Sequence, residues 1–147
     1  MARFRFRLEP VLNYRSALEE KAKEELAGSL ARYQREKQVL EQLEEDLSAH
    51  TRPVACGKVD LTQLTMLESY QRYLEMQLEK QAARVRAAEE TVAKCRRKLE
   101  QKMRERKVVE VLKDKQYHEF LYQEEREEQK FLDDIATVRF VRQTMDK

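Results

Sequence analysis

Glycine and proline, the two residue types that end helices, come together at only one place in this sequence. Pro53 and Gly57 lie within residues 50–57, between two long segments rich in leucine and charged residues. The whole chain has two glycines and two prolines in 147 residues, too few for the turns of a sheet protein or for a phosphate-binding loop. The pattern therefore predicts two long helices joined by one turn, and it disfavours most enzyme folds.

Local signals mark the limits of both helices. Pro10 lies at the opening of the first segment, where a helix tolerates a missing N–H. Asp60, with Gln63 three residues later, forms an N-cap pattern, and Val59 and Leu64 are placed to close a hydrophobic staple. Ala, Glu, Lys, Leu and Arg supply more than half of the chain, as in coiled coils. We predict an all-α fold, a two-helix antiparallel coiled-coil hairpin with a longer second helix. The expected single domain spans 1–147, with helix one at about 9–49, the turn at about 50–59 and helix two at about 61–143.

Heptads can be placed in both segments, and the second segment fits them better. The first has a positions at Leu12, Glu19, Leu26, Tyr33, Leu40 and Leu47, and d positions at Leu8, Arg15, Ala22, Ser29, Glu36 and Leu43. The second has a positions at Leu64, Gln71, Leu78, Val85, Val92 and Leu99, and d positions at Leu67, Leu74, Gln81, Ala88 and Cys95. In an antiparallel pair, the numbers of facing residues add to a constant. We predict 107, which pairs leucines near the turn, with 114 as the competing register. The pairs at 107 are Leu43 with Leu64, Leu40 with Leu67, Tyr33 with Leu74 and Leu8 with Leu99.

Either register leaves the second helix longer than the first. At 107, the start of the first helix lies opposite residue 99, and more than forty residues of the second segment continue beyond that point. A single helix cannot bury its own apolar side chains, so this overhang needs a cover. We expect a different protein there, with folding back or homodimerisation as the alternatives. The apolar residues of the overhang are Val108, Val109, Val111, Leu112, Tyr117, Phe120, Leu121, Phe131, Leu132, Ile135 and Val138.

Residues that could carry catalysis or bind metal are sparse. His50 and His118 are far apart along the predicted hairpin, and Cys56 and Cys95 have no metal-type spacing. The two cysteines would lie about 55 Å apart along one helix, so we expect reduced thiols and no intramolecular disulfide. We predict no catalytic residue, no metal and no cofactor. The chain has no apolar run long enough to span a membrane and no signal-peptide pattern at its start, and we expect a cytosolic protein.

One basic stretch, residues 94–107, has eight basic and two acidic residues although the whole chain has a net charge of only +2. Such a stretch could bind phosphates. Because it lacks interleaved aromatic residues for stacking bases, we favour an acidic protein partner. Nucleic-acid binding through Arg96, Arg97 and Arg104 remains the alternative.

Two other features have the character of contact surfaces. The amino end alternates Arg3, Phe4, Arg5, Phe6 and Arg7, and exposed Arg and Phe side chains are favoured at interfaces. A membrane-surface arm is the weaker reading, because so few residues anchor poorly. Off the seam, helix two has a small apolar stripe. This stripe contains Met66, Tyr73 and Met76, and its two explanations are a partner contact and a chance scatter of apolar residues.

Three segments of the chain form a recognisable series when they are taken in order. The first is Phe4-Arg5-Phe6-Arg7-Leu8-Glu9-Pro10-Val11-Leu12, followed by Arg15 and Glu19-Glu20-Lys21-Ala22. The second is Leu67-Glu68-Ser69-Tyr70-Gln71-Arg72-Tyr73-Leu74. The third is Lys130-Phe131-Leu132-Asp133-Asp134-Ile135-Ala136. Together they resemble the flagellar export protein family FliJ, which usually has Glu where this chain has Asp134.

The resemblance implies a soluble, non-enzymatic component of the flagellar type III export apparatus, similar to the central stalk of rotary ATP synthases. Its implied partners are the hexameric export ATPase, the cytoplasmic domain of the export gate and export chaperones, with no nucleic acid. It implies a location in the cytoplasm, peripheral to the inner membrane at the flagellar base, and a monomeric hairpin when free. By the stalk analogy, the ATPase ring would be contacted by Arg3, Phe4, Arg5, Phe6, Arg7, Phe131, Ile135, Val138, Arg139, Phe140 and Arg142. The gate would be contacted by Met66, Tyr70, Tyr73 and Met76. The alternatives are a homodimeric structural coiled coil and a nucleic-acid-binding helical protein.

Overall fold

The computed structural model describes residues 3–51 and 60–145, which form two helices. Helix α1 spans Glu9–His50 (42 residues) and helix α2 spans Leu61–Met145 (85 residues). Within these residues the two helices pack against each other and there is no strand, so the predicted all-α helical hairpin is confirmed. Pro53, Cys56, Gly57 and Val59, on which the turn and staple predictions depend, lie outside the described residues.

The helix ends follow the local signals. The Phe6 carbonyl accepts a hydrogen bond from the Glu9 N–H at 3.2 Å, and Pro10 is in the first turn, where its missing N–H has no cost. The Asp60 carbonyl accepts from the N–H groups of Gln63 (3.0 Å) and Leu64 (3.2 Å). Helix α2 therefore begins directly after Asp60.

The chain divides into two compact units, each containing a part of both helices. The terminal unit comprises Met1–Ala17 with Met103–Lys147, and the hairpin unit comprises Leu18–Lys102.

The predicted seam is confirmed in the hairpin unit. Its buried side chains all lie at predicted a or d positions, and they are Glu19, Ala22, Leu74, Gln81, Ala88 and Val92. In the terminal unit, Val109 is 8% exposed and continues the d positions of α2. Apart from Phe6 in the arm, the buried side chains of the described residues therefore follow one heptad pattern.

The predicted register of 107 is wrong, and so is 114. In the hairpin unit, Gln71 donates to the His50 carbonyl (3.0 Å) and Lys98 pairs with Glu25 (2.5 Å). In the terminal unit, Arg15 pairs with Glu105 at 3.1 Å and Lys113 with Glu9 at 2.8 Å. The two residue numbers in each of these pairs add to a value between 120 and 123. The register is therefore close to 121, which is two heptads beyond 107.

Polar seam residues explain why the register differs. The choice of 107 was based on leucine pairs near the turn, but it would place Arg15 level with Val92, and it would place Gln81 level with Leu26 and one turn from Ala22. A charge or amide that has only apolar neighbours in a seam loses its hydration without gaining a partner. At 121, Arg15 reaches Glu105, and Gln81 donates to Glu36, one turn from the residue it is level with. The polar positions therefore select the register that the leucines leave open.

Candidate interaction surfaces

The amino-terminal arm, residues 3–7, packs against α2 within the terminal unit. The Phe4 ring lies 5.3 Å from the Tyr117 ring and 5.6 Å from the Phe120 ring, measured between centroids. Phe6 is only 8% exposed, and the Lys113 ammonium lies 6.0 Å from the centroid of its ring. The expectation that both phenylalanine rings are exposed was therefore wrong: the rings pack inside the chain, whereas Arg3, Arg5 and Arg7 are exposed.

This packing also shortens the predicted overhang. Because Glu9 pairs with Lys113 and Phe4 reaches Phe120, residues up to about 120 have a neighbour in the chain. Val109 is buried and Phe120 is half-buried. The expectation that this part of the second segment lacks an internal cover was therefore wrong, and its error follows directly from the register.

Beyond this point, α2 has no cover among the described residues. Every residue from 125 to 145 is exposed. Phe131, Ile135 and Val138 follow one another at helical spacing and so share one face, whereas Phe140 lies on the opposite side of the helix. The exposed fractions are 65% for Phe131, 52% for Val138 and 67% for Phe140, and Arg139 and Arg142 are exposed as well. We call residues 125–145 the uncovered end.

The predicted gate residues lie at the start of α2, in the hairpin unit. Met66, Tyr70, Tyr73 and Met76 are all exposed. The Tyr70 ring packs edge-on against His50 at 4.8 Å between centroids and stacks on Tyr73 at 6.4 Å. Sequence reasoning placed His50 in the turn and missed this contact, because only the register of 121 brings His50 level with residue 71.

Several cations of the basic stretch have acidic partners within their own unit. In the hairpin unit, Lys98 donates a hydrogen bond to Glu25, and this bond lowers the pKa of the Glu25 carboxyl below its ordinary value. In the terminal unit, Arg106 and Lys107 both reach Glu110, at 3.0 and 3.3 Å. Arg96 and Arg97 are exposed beside an open groove of about 440 Å³ that Leu30, Tyr33 and Val92 also line. The stretch is therefore less positive than its sequence suggests.

The residues considered for chemistry are not brought together. Cys95 is a half-buried free thiol in the seam, and Cys56 lies outside the described residues. Among residues 3–51 and 60–145, no three His, Cys, Asp or Glu side chains are grouped so that they could hold a metal ion. Neither helix, over the part described, contains a stretch long and apolar enough to cross a bilayer.

Comparison with known protein families agrees with the resemblance seen in the three sequence segments. The family model described as the flagellar FliJ protein matches residues 4–145. Comparisons with curated proteins and with solved structures gave no match. The family is a non-catalytic structural component of flagellar biogenesis and protein export. Because the match covers both helices and the arm, this chain belongs to the flagellar FliJ family and is a protein of the flagellar export apparatus.

Proposed function

We propose that this protein is a stalk-like coiled coil that binds the hexameric export ATPase and links it to the export gate and to export chaperones during flagellum assembly. The observation that supports this most strongly is the uncovered end of α2. It exposes Phe131, Val138 and Phe140 at 65%, 52% and 67%, in a stretch where every residue from 125 to 145 is exposed. Apolar side chains exposed in such a series are typical of protein interaction sites.

The ring contact, in this proposal, is made by the terminal unit. Phe131, Ile135 and Val138 provide the apolar contact, and Arg139 and Arg142 flank them with charges. The arm contributes beside them, because Phe4 packs on Tyr117 and so holds the arm against α2. The uncovered end and the arm are thus parts of one compact unit.

The effect on the ATPase is a coupling of binding equilibria. A hairpin of unequal helices has no sixfold symmetry, so it cannot contact all six ATPase subunits alike. It therefore binds some subunit conformations better than others and shifts their populations. This role needs no catalytic residue in the chain.

The gate contact, in this proposal, is made by the hairpin unit. Met66, Tyr70, Tyr73 and Met76 together expose two thioethers and two phenol rings, a combination favoured at interfaces. The protein would then be held at the cytoplasmic face of the inner membrane by its partners rather than by a segment of its own.

The decisive experiment measures ATP hydrolysis by the cognate export ATPase over a range of enzyme concentrations, with and without this protein. Hexamer content is followed by sedimentation in the same samples. We expect higher activity and more hexamer at low enzyme concentration, because a ligand of the hexamer stabilises it by mass action. If neither quantity changes, the ring assignment is wrong, and the uncovered end must bind a chaperone, the gate or a second copy.

The alternatives give different results in two simple measurements. A homodimeric coiled coil would have a mass near twice 17.7 kDa in light scattering, whereas we expect a monomer. A nucleic-acid-binding protein would lose RNA binding when Arg96, Arg97 and Arg104 are reversed in charge. We expect no RNA binding in either form, and unchanged ATPase binding.

A further inference from the structure

The amino-terminal arm has two chemically different sets of side chains. Residues 3–6 form neither helix nor strand, and burial alternates along them. Phe4 is half-buried against Tyr117 and Phe120, and Phe6 is buried with the Lys113 ammonium near its ring. Arg3 and Arg5 are exposed, and Arg7, in the turn that follows, is exposed as well.

The positive charges of the arm have no internal counter-charge among the described residues. Arg3 and Arg5 line one open groove of about 630 Å³, whose other lining residues are Phe4, Phe6 and Glu9. The Glu9 carboxylate is held by the Lys113 ammonium, at 2.9 Å from Oε1 and 2.8 Å from Oε2. No ion pair to Arg3, Arg5 or Arg7 forms within the described part of the chain, so this groove has a net positive charge.

The ring packing also holds the backbone of the arm in place before any partner binds. With Phe6 only 8% exposed, the segment that bears the three guanidinium groups is anchored on α2. Anchoring lowers the conformational entropy that binding would otherwise cost. Guanidinium groups bind carboxylates through paired, planar hydrogen bonds.

We propose that the arm is a preformed carboxylate-binding ridge, in which Arg3, Arg5 and Arg7 bind an acidic protein surface while Phe4 and Phe6 serve only to hold the ridge. Two other occupants are disfavoured by the same contacts. Single-stranded nucleic acid needs free aromatic rings on which bases stack, and both rings of the arm are engaged. A membrane surface needs an apolar group to insert, and Phe6 is buried.

The choice of the export ATPase as the first probe rests on the proposed function. We would measure the affinity of the full chain for the cognate ATPase at 50 and 500 mM NaCl. The triple variant Arg3→Gln, Arg5→Gln, Arg7→Gln should bind about tenfold more weakly at low salt. The difference should largely disappear at high salt, where charges are screened. Replacement of the same three residues by Lys should restore part of the affinity.

A matched control removes the same charge elsewhere. Arg35, Arg84 and Arg86 are exposed in the hairpin unit, and their replacement by Gln should leave the affinity unchanged. Both triple variants should keep the wild-type melting temperature, because all six side chains are exposed. If the arm variant binds the ATPase as tightly as the control variant, the ridge is refuted while the proposed function stands.

A second probe keeps the ridge testable if the ATPase does not bind at all, an outcome that would refute the proposed function instead. We would measure binding of the full chain to poly-L-glutamate, to poly-U RNA and to phosphatidylglycerol vesicles at 50 mM NaCl. Binding to poly-L-glutamate that the arm variant loses and the control variant keeps supports the ridge. The ridge is refuted if RNA or vesicles bind more strongly than poly-L-glutamate and that binding depends on the arm. It is also refuted if the arm variant still binds poly-L-glutamate.

Discussion

The side-chain amide of Gln81 donates to both the backbone carbonyl and the carboxylate of Glu36, at 2.9 and 2.6 Å, across the seam of the hairpin unit. Gln81 is only 4% exposed. A buried polar pair of this kind lowers the stability of a coiled coil but specifies its register, because a slip of one heptad puts Ser29 or Leu43 in the place of Glu36 and removes the carboxylate partner.

Replacing both residues with leucine should therefore raise stability and loosen the register. We expect the double variant Gln81→Leu, Glu36→Leu to have a free energy of unfolding, measured in urea, about 1–2 kcal/mol above that of the wild type. Spin labels at positions 32 and 89, with Cys56 and Cys95 replaced by Ser, report the register through their separation. The wild type should give one short distance, and the variant should add a second population displaced by about 10 Å, the length of one heptad. A single unchanged distance in the variant would show that other contacts set the register.

Leu74 should be a main source of stability in the hairpin unit, since it is an apolar d residue only 3% exposed. Leu74→Ala removes its buried side chain and should cost about 2–4 kcal/mol of unfolding free energy, measured by circular dichroism in urea. Leu61→Ala is the control. Leu61 is 80% exposed in the same helix, so its replacement should change the free energy by less than about 0.5 kcal/mol.

The ion pair between Glu25 and Lys98 should make stability depend on pH in the acidic range. The hydrogen bond from Lys98 lowers the pKa of Glu25 in the folded chain. A carboxyl with a lowered pKa contributes stability that is fully present above its unfolded-state pKa and is lost as the pH falls through its folded-state value. Lys98→Gln should remove this part of the acid dependence of the melting temperature, and Glu25→Gln should remove the same part. If the two variants keep the wild-type profile, the pair contributes nothing in solution, as is found for many surface ion pairs.

The uncovered end should matter for binding and not for folding. Phe131→Ser with Val138→Ser changes two side chains that are 65% and 52% exposed, so the melting temperature should move by less than about 2 °C. The same variant should fail to raise ATP hydrolysis by the export ATPase. Tyr122→Ser with Met103→Ser, exposed at 61% and 44% elsewhere in α2, provides a control that should stimulate hydrolysis normally. Full stimulation by the first variant would place the ring contact elsewhere.

Tyr70 and Tyr73 should behave differently although both are exposed. Tyr70 packs on His50, the last residue of α1, so Tyr70→Ala should speed amide exchange in the last turns of α1. Tyr73 is 52% exposed, and among the described aromatic residues its ring stacks only on Tyr70. Tyr73→Ala should therefore leave amide exchange unchanged. If the gate binds here, Tyr73→Ala should still weaken binding of the gate's cytoplasmic domain. Equal loss of protection in both variants would mean that Tyr73 also has a structural role.

The sequence predicts this fold well because its signals are local. Pro10 and Asp60 mark the two helix starts, and the observed starts at Glu9 and Leu61 follow them. The seam positions follow from periodicity alone, as Leu74 and Val92 show. The register is not local, because a heptad repeat looks the same after a shift of seven residues. Choosing among equivalent shifts requires knowing that Gln81 finds Glu36, a long-range match that leucine spacing does not reveal.

The arm was misjudged for the same reason. An alternating Arg and Phe pattern shows that the two residue types face opposite sides, but not which side meets the chain itself. Once Glu9 is level with Lys113, Phe4 comes within reach of Tyr117, and the arginines rather than the phenylalanines become the available side. The contacts at the uncovered end and at Tyr73 stay predictions, since they depend on partners whose surfaces the sequence does not describe.

The excess length of α2 also affects how the free chain responds to proteases. A helix without tertiary contacts is marginal in water and frays readily, so residues 125–145, all exposed, form the part of the two described helices that a protease can most easily engage. Limited proteolysis of the isolated chain should therefore cut within residues 125–145 before it cuts the parts of either helix that pack in the seam.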